Sequence, residues 1–443
     1  MEQVGLVFGK DGNKYISKPI TTDGHTLILG GSGTGKSSGV VIPSILSWES
    51  SIFTIDVKGE LYNITKAARG DAKIKVFDPK DSSACGYDPY EALRNTDDLP
   101  GEAKSLAMSI CPVSIKANDP IWGKSAQELL TGFILFYFNQ GLNFSETMLM
   151  IADKKDIADK EGIEGKKAPN EIPNHLKTII AQIMASDNRK ARIYVNPFHG
   201  MADETLFSVF MELSSHITEF AANDYLQRAL SGKGKCISPL DLEKGYDIYY
   251  RVPQHYLEQW QDLTVMICNQ FIKAFERRPE GKKNCPILFL LDEFPTLGKI
   301  ERINGALSTL RSKNIHIALC IQSKSQLDSV YGKDITNVVM DNCTYKVILK
   351  ATEPETQKWC SELLGTFEEL KRSTSTNTGF TGFVKGHSSS QSLGAHEPII
   401  QPAAFGYLQN EVICHFPNGY LKLDKIEYWK DKKLISKINT SFN

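Results

Sequence analysis

Short apolar runs closed by turn or acidic residues mark out this chain. Residues 27–29, 51–56, 74–79, 246–252, 287–291, 315–321 and 344–349 each read as a brief strand buried on both faces. Helical spacing lies between most of them, as at 40–48 (interrupted by Pro43), 60–68, 260–275, 300–313 and 353–364. Strands alternating with helices predict a parallel sheet with crossover helices. Ahead of that series, residues 4–8 and 14–16 flank Lys10-Asp11-Gly12-Asn13, which predicts a β-hairpin lying as an edge flap.

From about residue 91 to 230 the strand-like runs give way to helical patterns, at 103–110, 127–139, 175–186 and 203–221, with a charged stretch at 153–167. This predicts an all-α domain inserted between two halves of the sheet domain. Residues 373–392 are rich in Ser, Thr and Gly and read as a flexible or extended loop. A last strand is expected at 411–416 and a polar tail at 430–443.

The composition narrows the classes. The chain has 443 residues, 41% hydrophobic and 23% charged, with a net charge of −1, so any nucleic-acid contact must come from a local patch or an assembled ring. Nine cysteines form no C-x-x-C pair and no zinc-ligand spacing with histidine, which is the usage of a reducing compartment. The longest apolar run, 129–138, is too short to span a bilayer, and no signal peptide stands at the start. The expectation is a soluble, cytoplasmic protein.

The chemistry starts after the first apolar run. Gly30-Gly31-Ser32-Gly33-Thr34-Gly35-Lys36-Ser37-Ser38 has the G-x4-G-K-S spacing of a phosphate-binding loop. Glycines let backbone N–H groups converge on phosphate oxygens, and the following helix turns its positive end to the same anion. Lys36 is expected to reach the β- and γ-phosphates of ATP, and the Ser37 hydroxyl to ligate Mg2+. A second signal is the run 287–291 ending in Asp292-Glu293. There Asp292 would hold the metal and Glu293 would orient or deprotonate the attacking water. Gln322, ending the next strand, is placed to contact the γ-phosphate or its water. Arg311, on the helix between, reads on its own as a surface arginine.

Four stretches carry a resemblance: 25–37 continued by Gly39-Val40-Val41-Ile42-Pro43; Ile55-Asp56-Val57-Lys58-Gly59-Glu60; Leu290-Leu291-Asp292-Glu293-Phe294 with Leu297-Gly298; and 318–327. The chain resembles the soluble part of the type IV secretion coupling proteins, ATPases that deliver DNA or protein to a conjugation or secretion channel. The resemblance implies a RecA-like nucleotide domain (1–90 and 231–443), the inserted all-α domain (91–230), and a ring of six subunits with sites at the interfaces. It makes Arg311 the arginine supplied to a neighbour and Gln322 the family's glutamine. It also implies partners: a relaxase–DNA complex or protein effectors, the other secretion-channel ATPases and inner-membrane components. Family members begin with a two-helix membrane anchor, and none precedes His25. The chain is thus expected at the cytoplasmic face of the plasma membrane with its anchor absent or removed, and as a monomer where the anchor is missing. Two other readings stand beside this one: a septal-type DNA translocase, and a docking platform whose nucleotide site gates assembly.

Overall fold

A computed structural model of the chain describes residues 5–113, 120–153, 174–281, 283–368, 371–376, 387–392 and 396–439. Its centre is an eleven-stranded mixed sheet. In chain order the strands are β1 (Gly5–Asp11), β2 (Lys14–Pro19), β3 (Thr26–Leu29), β4 (Ser51–Asp56), β5 (Ile74–Phe77), β6 (Asp247–Arg251), β7 (Ile287–Leu291), β8 (Ile315–Ile321), β9 (Tyr345–Ile348), β10 (Glu411–Phe416) and β11 (Gly419–Asp424). Their spatial order is β2-β1-β11-β10-β9-β3-β8-β7-β4-β6-β5. The run from β9 to β5 is parallel throughout, and β10, β11, β1 and β2 extend it as antiparallel neighbours.

The continuous apolar runs follow from burial on both faces. Along β7, Ile287, Phe289 and Leu291 join one core while Leu288 and Leu290 join the other. Along β8, Ile315, Ile317, Leu319 and Ile321 face the first core, and Ala318 and Cys320 the second. A strand wedged between two layers has no polar face to show, so the period-2 alternation disappears from the sequence.

Helices Leu99–Ile110, Ile121–Asn139, Phe144–Ala152, Asn174–Ala185, Arg189–Val195 and Asp203–Ala222 follow β5, and the first core runs on through them without a break. Glu102, 4% exposed, binds Lys273 at 2.8 Å and also Arg277, which ties helix Leu99–Ile110 to helix Gln261–Glu276 behind the sheet. The second core packs under helices Ile42–Ser47 and Glu60–Arg69. Among the described residues, no helix is long and apolar enough to cross a membrane.

Several expectations are revised. The hairpin β1–β2 is no flap: β1 is hydrogen-bonded to β11, so it finishes the sheet. The helix expected over 300–313 is confined to Ile303–Thr309, with a 3-10 turn at Arg311–Lys313 after it. Residues 371–376 and 387–392 pair as an antiparallel ribbon, while 377–386 and 393–395 lie outside the described residues. The polar tail contains helix Lys432–Asn439, whose Leu434 is buried and whose Lys437 donates to the Leu46 carbonyl at 3.1 Å.

Candidate active site

Parallel strands bring their C-terminal ends to one edge, and the motifs sit there. Leu29 of β3 pairs with Ile321 of β8, and Leu291 of β7 with Leu319. Consequently the loop that follows β3, the acids that follow β7 and Gln322 share one rim, a usual position for a ligand in an open α/β sheet.

The loop from Gly30 is anchored on both flanks. The Gly30 N–H donates to the Ile321 carbonyl (3.1 Å) and the Gly31 N–H to the Lys350 carbonyl (3.0 Å). A Cβ at Gly30 would lie 2.7 Å from Thr34 Oγ1 and 2.9 Å from the Leu349 Cβ, so this position excludes any side chain. Gly33 and Gly35 have φ of +69° and +92°, and Lys36 returns to right-handed backbone. Alternation of that kind is the backbone pattern of an anion nest. Residues Ser37–Val41 form a widened π-turn before helix Ile42–Ser47, which Pro43 enters at its first turn. A widened turn is commonest at functional positions.

Lys36 is 7% exposed, with its ammonium on the loop's own carbonyls: Gly30 at 2.6 Å and Gly31 at 3.2 Å. Those two bonds fix the side chain over the loop and leave a third N–H for a ligand. The Ser37 hydroxyl donates to Asp292 Oδ2 at 3.1 Å across 255 residues of sequence. Asp292 Oδ1 takes the Glu293 N–H at 3.0 Å, which fixes its carboxylate plane. Two hard oxygens facing each other at that spacing fit a Mg2+ that keeps most of its shell from water and phosphate. Among the described residues no group of three or more His, Cys, Asp or Glu could hold a metal, so a divalent ion here must share its coordination with a ligand.

Glu293 sits in left-handed backbone (φ 50°), unusual for a residue with a side chain and costing about 1 kcal/mol. The turn is held by Thr296, whose N–H and hydroxyl both donate to the Glu293 carbonyl at 2.8 Å. The Glu293 carboxylate faces Lys58 Nζ at 4.0 Å. Cys320, buried on β8 beside Asp292, is held as a neutral thiol, since burial and the neighbouring carboxylates push its pKa well up.

Lys36, Ser37, Asp292, Glu293 and Gln322 are therefore gathered, with Ser32, Thr34 and Ser38 in the same loop. Arg311 is not with them. It precedes β8, at the opposite edge of the sheet, and seven residues of strand at about 3.3 Å each separate it from that rim. Two lysines were not singled out by sequence. Lys58 has no signal of its own beyond the run 55–60, although it faces Glu293. Lys425, just past β11, packs its stem on Gly35 and Gly39 and donates to the Thr34 carbonyl at 3.4 Å. Lys425 has no local signal, because only the pairing of β11 with β10 and β1 brings it to the loop.

The family described as "Type IV secretory system Conjugative DNA transfer" matches residues 3–442. Protein VirD4 of Rhizobium radiobacter is 25% identical over 445 residues, covering 97% of this chain and 61% of that protein. Conjugal transfer protein TraG of Escherichia coli is 26% identical over 413 residues, covering 89% and 63% respectively. This chain thus spans about three fifths of the length of the curated relatives it matches. Among solved structures, the plasmid coupling protein TrwB in complex with the ATP analogue ADPNP superposes with a TM-score of 0.69 at 16% identity, covering 96% of this chain and 89% of that one. VirB4 of Thermoanaerobacter pseudethanolicus gives 0.55 at 12% identity, with 96% and 97% covered. The fold is accordingly a RecA-like α/β domain with a helical domain.

Proposed function

The chain belongs to the type IV secretory system conjugative DNA transfer family, and on that premise we propose that it is a coupling ATPase, driving DNA with its bound relaxase, or a protein effector, into a secretion channel. The observation that carries the reading is the Ser37–Asp292 contact at 3.1 Å, with Lys36 over the loop and Glu293 one residue beyond. The TrwB structures in complex with ADPNP and with ADP and Mg2+ support the same ligands here.

In this reading residues 30–38 cradle the β- and γ-phosphates of ATP, and Lys36 gives its third N–H to a phosphate oxygen. Ser37 and Asp292 hold Mg2+, which supplies charge neutralisation at those phosphates. Glu293 orients a water in line with the γ-phosphate and takes its proton as the P–O bond to ADP breaks. Gln322 steadies that water or the leaving phosphate. Arg311 stabilises the charge of the transition state, but on a neighbouring subunit, because its own site lies across the sheet. Residues 1–90 and 231–443 make the nucleotide domain and 91–230 the helical domain that meets cargo. Six copies close into a ring at the cytoplasmic face of the membrane, beside the other channel ATPases and inner-membrane components.

The test is Glu293→Gln, which keeps the size of the side chain and removes the base. Hydrolysis is expected to fall by about 100-fold or more with nucleotide binding retained. Wild-type turnover in that variant would remove the assignment of the site.

A further inference from the structure

The edge of the sheet that carries Arg311 contains a buried network that none of the site motifs explains. Lys18, at the end of β2, is 1% exposed, and its ammonium lies 2.6 Å from His316 Nδ1 and 5.8 Å from the centre of the Tyr345 ring. His316 on β8 is 2% exposed and stacks edge-on against Trp48 at 5.1 Å. His316 Nε2 lies 3.2 Å from Asn314 Oδ1. Burial and the charge of Lys18 press the His316 pKa far down, so the ring is neutral. With Nδ1 accepting from Lys18, the ring proton sits on Nε2 and is donated to Asn314.

Asn314 ends the turn that bears Arg311. It has left-handed backbone (φ 59°, ψ 36°), donates its side-chain amide to the Asn284 carbonyl at 2.7 Å, and donates its own N–H to the Arg311 carbonyl at 3.3 Å. The outer side of the turn is pinned as well: the Gly281 N–H meets the Ser312 carbonyl at 3.0 Å, and Arg278 Nη1 meets the Lys313 carbonyl at 2.8 Å. The Arg311 side chain itself is exposed and makes no hydrogen bond or ion pair among the described residues. A rigid turn thus presents a cation that its own subunit does not use.

We propose that Lys18, His316 and Asn314 are positioning residues for Arg311, a buried relay that fixes its turn in the conformation from which the guanidinium reaches a neighbouring subunit's γ-phosphate. The inference rests on the trans role given to Arg311 above. An apolar plug would close this edge of the sheet more cheaply than a buried lysine. What the polar chain adds is a single geometry, because the His316 ring, held by Lys18, loses its acceptor Asn314 if the turn shifts. Other charged and titratable groups facing Lys18 are Asp23 and Arg311, while His25, its pKa lowered to about 3, stands neutral beside them.

Mixed assemblies of two inactive variants test the relay. Lys36→Ala subunits lack a working loop but offer Arg311, and Arg311→Ala subunits have the loop but lack the arginine. Mixing them is expected to restore ATP hydrolysis at the interfaces where the two intact halves meet. Lys18→Met added to the Lys36→Ala subunit, the arginine donor, should lower the restored kcat about tenfold or more with KM unchanged. Added instead to the Arg311→Ala subunit, it should leave the restored rate within about twofold, which also shows that the substituted subunit folds and assembles. Asn314→Gly, which keeps left-handed backbone accessible, carries the same expectation if Lys18→Met subunits do not assemble. Equal loss on either subunit, or no loss on the donor, overturns the relay. If the unmodified pair restores nothing, the trans role of Arg311 falls and the relay with it.

Discussion

The two edges of the parallel sheet are built in different ways. At the C-terminal edge, the groups assigned to ATP, Mg2+ and water in the proposed function stand on short loops, each directly after a strand: Lys36 after β3, Asp292 and Glu293 after β7, Gln322 after β8. Asp292, Glu293 and Gln322 are half-open, while Lys36 is buried against its own loop's carbonyls. At the N-terminal edge Lys18, His25 and His316 are buried; Lys18 meets His316, His25 accepts from the Ile317 N–H, and the Arg311 side chain is exposed. In the proposed function one edge is a receptor for an anion. The other is a scaffold around one cation, and on the reading proposed it completes the receptor of a second copy. On that reading a subunit holds every part of an ATPase but cannot bring them together alone.

Separating the two edges gives the largest expected effect. Lys36→Ala and Arg311→Ala should each lower hydrolysis by the assembled protein by about 1,000-fold or more. The two differ in binding. Lys36→Ala should weaken nucleotide binding by isolated subunits, because the loop loses its cation, whereas Arg311→Ala should leave it unchanged. Equilibrium binding with a fluorescent ATP analogue distinguishes them. A drop in affinity for isolated Arg311→Ala subunits would mean that the two edges are not independent.

That contrast also explains what the sequence could reveal. The strands were legible because burial on both faces leaves unbroken apolar runs, and β4, β7 and β8 begin and end where those runs do. The loop and the Asp292-Glu293 pair were legible because each is a contiguous segment with its own spacing. Strand β11 was missed because five of its six residues, all but Leu423, are exposed, which erases the apolar signal of a strand. The helix Lys432–Asn439 buries only Leu434 fully, so it reads as polar tail. The Lys18–His316 bond spans 298 residues and lies in no local pattern. Spacing rules find chemistry that is local in sequence, and a contact made by the tertiary fold alone leaves no such trace.

A smaller effect tests how tightly the receptor edge is built. Gly30→Ala drives a Cβ to 2.7 Å from Thr34 Oγ1 and 2.9 Å from the Leu349 Cβ on the neighbouring segment, so something there must shift. Gly33→Ala meets no atom within 4 Å and strains only its φ of +69°. The first should destabilise the protein by about 1–3 kcal/mol and lower nucleotide affinity at least about tenfold, the second by about 1 kcal/mol with a milder loss of affinity. Thermal unfolding with and without nucleotide measures both, and equal affinity losses in the two variants would mean that steric exclusion at Gly30 is not what shapes the loop.

The last effect lies at the other edge and is read as a pH dependence. Burial lowers the Lys18 pKa to about 7 from an ordinary 10.5, with Asp23 opposing and Arg311 reinforcing the shift. Between those two values the unfolded chain holds one more proton on this residue than the folded chain does. Stability contributed through Lys18 therefore rises with pH across that window, by up to about 1.4 kcal/mol per unit. Below pH 7 both states are protonated, and the full penalty of burying the charge is present and flat. Lys18→Met removes the titrating group, so the difference in unfolding free energy between the wild type and this variant should shift in favour of the wild type from about pH 7 to about pH 10. Denaturant unfolding at pH 6, 7.5 and 9 measures that difference and cancels the contributions of all other groups. A difference independent of pH would show that Lys18 keeps its charge in the folded protein, and that His316 Nδ1 accepts from a full ammonium throughout.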